Sequence, residues 1–384
     1  MRRARFKGLS SHPFKFFHCT SRIVNRDFVL GEVEKGQFYK FMRLYERLLG
    51  LRVASYCLMS NHFHILVEVP RRPADGDLLN DEGLIAHVES CLGEGAATNL
   101  RWELEHFRGQ GNDAAAEALR EKWFGRMWDV SQFMKVLKQR FTQWYNGRNN
   151  RKGTLWEDRF HSVLVEGEGP ALKAMAAYID LNPVRAKICD DPKDYRWCGY
   201  GEAFLGTGAG GKKGAKLAKT AVVWLDAIGN TRLQDATTVS AAKAKEIKRA
   251  KRAKTSSAEA MMRWRCFLFG VPESELARAE ESAREAAGGE AQIFRKRISR
   301  VKALEVLDSG GRLKKADYLR CRLRYFVDGA AIGSKAFIEE VFQESRGHFH
   351  SERKSGARSL RGLETLPMND RLYNMRQMGK DAVS

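Results

Sequence analysis

Apolar residues recur along the first half of the chain at two periods, and the periods mark the elements. Phe14–Val24 alternates as a strand, with His18 and Cys19 inside it. Glu34–Leu49 carries Phe38, Phe41, Leu44, Tyr45 and Leu48 at helical spacing and stops at Gly50. Val53–Pro70 (VASYCLMSNHFHILVEVP) is rich in β-branched and apolar residues and ends on a proline. It predicts two strands joined by a tight Ser60-Asn61 turn. From Val130 the residues Phe133, Val136, Leu137, Phe141 and Trp144 mark an amphipathic helix, and Phe160–Val165 alternates as a further strand. Ala171–Leu181 predicts a short helix. Asn182-Pro183 after it suits an N-cap and first turn of a new one, PVRAKI. Strand, helix, strand, strand predicts an α+β fold: an antiparallel sheet with helices on one face.

Residues 71–130 are polar with a helical pattern broken at Gly76, Gly93–Gly95 and Gly109–Gly111, which predicts an insertion of short helices without a core of its own. Beyond residue 205 the sequence changes character. GTGAGGKKGAKLAK has the composition of a flexible basic linker, and Ala241–Lys254 (AAKAKEIKRAKRAK) predicts a strongly basic helix. Amphipathic helices are expected at Leu313–Val327 and Lys335–Glu344, joined by DGAAIGS. A helix-turn-helix reader fits poorly, because the second helix carries Glu339, Glu340 and Glu344. The expected organisation is a catalytic domain over 10–205, a basic linker over 206–255, and an all-α accessory domain with a basic tail over 256–384.

Charge narrows the partner. The 384 residues carry a formal net charge of +20, and the pI is near 9.7. That much positive charge points to a polyanion, and nucleic acid fits best. A membrane surface fits less well, because the basic stretches lack an apolar face with interfacial aromatics. No apolar run approaches the roughly 20 residues of a membrane span. The basic N-terminus lacks the apolar core of a secretory signal. Seven scattered cysteines without a C-x-x-C argue for a reducing cytoplasm, with a nucleoid-associated protein as the expected case.

Three patterns could carry chemistry. His62 and His64 flank Phe63 in a strand, so both imidazoles share a face and can hold a divalent metal. Spacing alone leaves an ordinary strand face equally open. Tyr178 is the one large polar group on an Ala-rich helix, and Asn182, four residues on, faces the same way. The plain alternatives are a buried tyrosine and a helix cap. Last, Arg148, Arg151 and Lys152 form a basic loop near Trp144, Tyr145 and Trp156. Charge and rings together suit single-stranded nucleic acid. The alternative is core aromatics beside a solvated turn, and the favoured reading is a mixture, with the tryptophans mostly buried and the Arg148, Arg151 and Lys152 loop on phosphate.

Taken together, SNHFHILVEV, FTQWYNGRNNRKGTLWEDRFHSVLVE, AAYIDLNPVRAKI and DYRWCGY resemble the HUH tyrosine transposases, specifically the REP-associated branch. The resemblance spans roughly residues 10–205 and implies a ferredoxin-like sheet. It implies Tyr178 as the nucleophile and His62, His64 and Asn182 as ligands of Mg²⁺ or Mn²⁺. Asn182 stands where relatives carry Gln. The expected DNA contacts, read from the basic loop and its neighbours, are Arg148, Arg151, Lys152, Trp156 and Arg159, while Tyr145 lies outside the Y-x-x-x-N helix. The implied reaction cleaves and rejoins hairpin-forming, palindromic single-stranded DNA through a 5′-phosphotyrosine, by a monomer or homodimer. Two other classes stay open: a repeat-DNA binder that does not cut, and a hydrolase that uses water.

The basic stretch yields a direct prediction. Replacing Lys248, Arg249, Lys251 and Arg252 by alanine weakens DNA binding about equally across sequences and flattens its salt dependence. Equilibrium titrations at several salt concentrations check this, and unchanged binding at low salt reduces the stretch to a solvated face.

Overall fold

The computed structural model describes residues 12–206, 210–228, 257–285, 311–320, 329–360 and 371–376, together with Leu9, Lys302, Glu305, Val306, Ser309, Phe326 and Val327. In chain order the elements are β1 (Phe14–Arg22), α1 (Glu32–Leu48), β2 (Arg52–Leu58) and β3 (His62–Pro70). Three helices follow, α2 (Asp81–Leu92), α3 (Glu94–Gly109) and α4 (Asp113–Phe124). Then come α5 (Val130–Arg148), β4 (His161–Val165), α6 (Gly169–Asp180), the single turn α7 (Asn182–Arg185), α8 (Gly199–Leu205) and α9 (Gly211–Ile228). The last described elements are α10 (Ser257–Phe269), α11 (Glu273–Glu285), α12 (Lys315–Arg320), β5 (Gly329–Gly333), α13 (Lys335–Glu344), β6 (Arg358–Ser359) and β7 (Tyr373–Arg376).

The strands form one seven-stranded sheet in the order β2-β3-β1-β4-β5-β7-β6. All neighbours are antiparallel except β4 and β5. Register divides the sheet into two faces. Opposite residues share a face, so His64 on β3 joins Thr20 on β1 and Cys57 on β2, while Phe63 joins Ser21 and Leu58. α1 and α5 cover the Phe63 face: Phe38 packs 4.8 Å from Phe63 and 5.3 Å from Phe141, ring centroid to ring centroid. α6 and α9 cover the other face, where Trp224 stacks on Phe16 and Ser55 Oγ donates to Asp180.

The expectation of helices on one face is therefore corrected. His64, Leu66 and Glu68 are as buried as Phe63 and Ile65, and a strand buried on both sides needs cover on both. The linker expectation is corrected as well. Residues 211–228 form α9, whose Ala215, Ala218, Val222 and Leu225 recur at helical spacing and are buried. Its glycine and lysine content masked that period. The accessory domain is not all-α either. Ala330, Ala331 and Ile332 of DGAAIGS are buried in β5, which pairs parallel with β4 and antiparallel with β7. The C-terminal residues thus complete the sheet begun at the N-terminus. The insertion does have its own core, a cluster of Leu84, Val88, Leu100, Leu104 and Phe124 among others. It is tied to the end of α1 by hydrogen bonds from His87 Nε2 to the Leu48 carbonyl and from Trp128 N to that of Leu49.

Asp180, at the end of α6, joins three elements. Its carboxylate accepts from Ser55 Oγ (3.1 Å), Trp264 Nε1 (3.1 Å) and Tyr200 N (3.4 Å). Desolvation pushes its pKa up to about 7, against the opposing pull of those three donors. A carboxyl raised on folding holds its proton more tightly in the folded state. Its contribution is therefore full below pH about 4 and lost as pH rises through about 7. Urea unfolding of the wild type should show that loss, on the order of 1–4 kcal/mol across the window. Asp180→Asn lacks the titrating group and should lack that component of the slope. Parallel stability curves for the two proteins would refute this account of Asp180.

Candidate active site

β3 brings His62 and His64 to the same face, as the x-spacing dictates, with ring centroids 5.2 Å apart. α6 packs across that face and lays Tyr178 on it, its ring 6.1 Å from the rings of both His64 and His18. The three residues expected to act together are thus neighbours within one chain. Tyr178 is nonetheless covered. It is 3% exposed, stacked on Phe326 at 4.6 Å, with the Arg185 guanidinium 3.7 Å from its ring centroid. Arg185 is itself fixed by donating to the carbonyls of Tyr178 and Leu319. The Tyr178 hydroxyl makes no hydrogen bond among the described residues.

Asn182 departs from the cap expected of it. Its Nδ2 donates to the carbonyls of Tyr178 (3.3 Å) and Ile179 (3.1 Å), so the side chain closes the end of α6. It does not accept as an N-cap would. The reason is geometric: the helix ends at Asp180, leaving carbonyls in reach of an amide one turn on. Among the described residues no group of three or more His, Cys, Asp or Glu is arranged to hold a metal.

The donor chemistry still fits a divalent ion in part. His64 is 5% exposed, and burial holds its imidazole well below the usual pKa, with the charges of His18 and His62 adding to the effect. A neutral imidazole is what a metal needs. Its Nε2 makes no hydrogen bond among the described residues. His62 is half-buried and donates through Nδ1 to Asn61 Oδ1 at 2.6 Å. Two imidazole ligands would leave the remaining positions to phosphate oxygens and water, a set that Mn²⁺ or Mg²⁺ accepts.

Several residues not evident from the sequence are also brought here by the sheet. His18, fully buried, lies edge to edge with His64, their ring planes within 14° and their facing nitrogens 2.9 Å apart. Register puts Arg22 opposite His62, and puts His161 across Thr20 from His64, exposed at the same end of the sheet. Phe28 is 82% exposed on the segment after β1, where Asn25 and Arg26 both adopt left-handed backbone. Asn61 Nδ2 holds that segment through the Arg26 carbonyl. The available signal was strand alternation: Arg22, Thr20, His18 and His161 all fall in phase with the H-x-H pair once pairing is known.

The expected DNA-contacting residues divide. Arg148 and Lys152 are exposed at the end of α5 and in the loop after it, and Arg159 is exposed near the start of β4. Arg151 is half-buried and brackets its own loop through Asn146 and Thr154. Trp156 lies in the core, as the mostly buried reading of the tryptophans has it, and its place among the expected DNA contacts is corrected. It is 7% exposed, packs edge-on against Phe63 and donates to Thr142 Oγ1. Tyr145 stacks on Phe141 in the α5 packing, away from the histidine face. Lys248, Arg249, Lys251 and Arg252 lie outside the described residues.

No family model, curated protein or solved structure matches this chain. Among the described residues no helix is long and apolar enough to cross a membrane.

The placement of Asn182 is open to test. Asn182→Asp removes both donations and sets a negative charge at the C-terminal end of α6, where the helix dipole disfavours it. Urea unfolding should show a loss on the order of 1–3 kcal/mol. A variant of undiminished stability that binds Mn²⁺ more tightly would instead make Asn182 a ligand.

Proposed function

We propose that the chain is a metal-dependent single-stranded DNA nuclease and transposase of the HUH type, in which Tyr178 forms a 5′-phosphotyrosine. One observation carries the reading: α6 sets Tyr178 beside His64 on the face that also holds His62. The element order supports it. β1-α1-β2-β3-α5-β4, with strand order β2-β3-β1-β4 and both helices on one face, agrees with the ferredoxin-like core of that type. The resemblance in four sequence stretches supplies the chemistry, and the charge of +20 suits the substrate.

A tyrosine hydroxyl, with an ordinary pKa near 10, attacks a phosphodiester poorly unless it is held in line and the phosphate charge is offset. A divalent ion held by His62 and His64 would supply that offset. The chain's own residues do the rest. Tyr178 Oη gives up its proton and attacks phosphorus, the bond to the 3′ oxygen breaks and that oxygen takes up a proton. The resulting 3′-hydroxyl can later attack the same phosphotyrosine, returning a proton to Tyr178 as the strand is rejoined. Arg185 and Arg22, both close enough to disfavour a charged His64, make the site attractive to a phosphate. Palindromic hairpins are the proposed substrate. Cleavage requires Tyr178 to be uncovered, which a shift of Phe326 and Arg185 achieves.

That cover favours a second reading, a repeat-DNA-binding protein that does not cut. Tyr178→Phe separates the readings. The variant keeps the ring contacts, so it folds and binds hairpin DNA, but it neither nicks nor forms a denaturant-resistant adduct in Mg²⁺ or Mn²⁺. His64→Ala should also abolish nicking. Nicking by the Phe variant at the wild-type rate points to attack by water. A wild type that binds and never cuts is a non-enzymatic binder.

A further inference from the structure

Two hydrogen-bonded chains lead from main-chain carbonyls to the two strand histidines. The first runs from the Phe326 carbonyl to His18 Nδ1 (2.8 Å) and from His18 Nε2 to His64 Nδ1 (2.9 Å). The second runs from the Arg26 carbonyl to Asn61 Nδ2 (3.0 Å) and from Asn61 Oδ1 to His62 Nδ1 (2.6 Å). A carbonyl can only accept. His18 must therefore donate through Nδ1, and a neutral imidazole has no second proton for Nε2. His64 Nδ1 must then supply the N–H between the rings, which leaves the lone pair on His64 Nε2. The Asn61 amide is oriented the same way. Its NH₂ must face the Arg26 carbonyl, so its oxygen faces His62 and requires an N–H at Nδ1.

We infer that His18 and Asn61 are positioning residues which fix His64 and His62 as Nδ1–H tautomers, making Nε2 the metal-binding atom of each. The inference rests on the metal-dependent reading above. Burial enforces the first chain, because His18 and His64 are both inside the sheet, where a charged ring is costly. Were His18 an imidazolium, both its nitrogens would donate, His64 Nδ1 would have to accept, and the proton would move to the nitrogen a metal needs. Partners of this kind orient ligand rings and raise their basicity in metal sites generally. The first chain begins at Phe326, whose ring also covers Tyr178. The C-terminal part of the protein is in this way built into the site.

Full-length protein with Mn²⁺ alone tests the inference, read by electron paramagnetic resonance titration without DNA. His18→Leu fills the space but cannot accept from His64, and should weaken Mn²⁺ binding about 10–100-fold. His18→Gln can both donate to a carbonyl and accept from an N–H, and should bind close to wild type. Asn61→Ala lies in the hairpin turn, outside the core, and should weaken binding similarly. It keeps the test alive if His18→Leu fails to fold. Nitrogen-15 NMR of the wild type should show His62 and His64 protonated at Nδ1. Wild-type affinity in His18→Leu and Asn61→Ala, or protonation of His64 at Nε2, overturns the inference. If the wild type binds no Mn²⁺, the metal reading fails, and the NMR tautomers alone decide the positioning roles.

Discussion

Burial of the β1–β3 pair on both faces is the constraint on which the rest of the molecule depends. It places His18 and His64 in a dry interior, where burial lowers the His18 pKa to about 4 and holds that of His64 well below normal. Two neutral rings whose facing nitrogens lie 2.9 Å apart share one N–H between them, supplied by His64, so His18 must find a partner for its own N–H elsewhere. For His18 that partner is a carbonyl more than three hundred residues away in sequence. A strand pair covered on one side only would leave these rings in water, free to charge and to rotate.

The same constraint ties the C-terminal residues to the N-terminal sheet. β5 continues the sheet beyond β4, Trp264 donates to Asp180, and the Leu319 carbonyl anchors Arg185 over Tyr178. These are contacts at the residues that flank the candidate nucleophile. An appended module would have left Tyr178 open. Here the covering groups, Phe326 and Arg185, are part of the fold, so access to the hydroxyl and cohesion of the C-terminal region are coupled.

Local pattern made much of this legible. The H-x-H strand, the Ser60-Asn61 turn, α1, α5 and the Lys335–Glu344 helix follow from periodicity and breakers, and the structure has them within a residue or two. Composition misled where it masked period: α9 is rich in glycine and lysine, and β5 is a short Ala-Gly run that only its neighbours make a strand. The role of Asn182 was out of reach because it depends on where α6 stops. His18, Arg22 and His161 could not be joined to the pair without the register, which is a long-range property. Trp156 sits among basic neighbours that suggested a DNA contact, but its ring, expected to be mostly buried, is held in the Phe38–Phe63–Phe141 core.

The central claim is that Tyr178 is the nucleophile, and peptide mapping of a trapped adduct tests it most directly. The wild-type protein is incubated with single-stranded hairpin DNA and Mn²⁺, denatured, digested and examined by mass spectrometry. The account predicts a nucleotide linked through its 5′ phosphate to the peptide containing Tyr178. An adduct on another residue such as Tyr145, or cleaved DNA with no adduct at all, would contradict it.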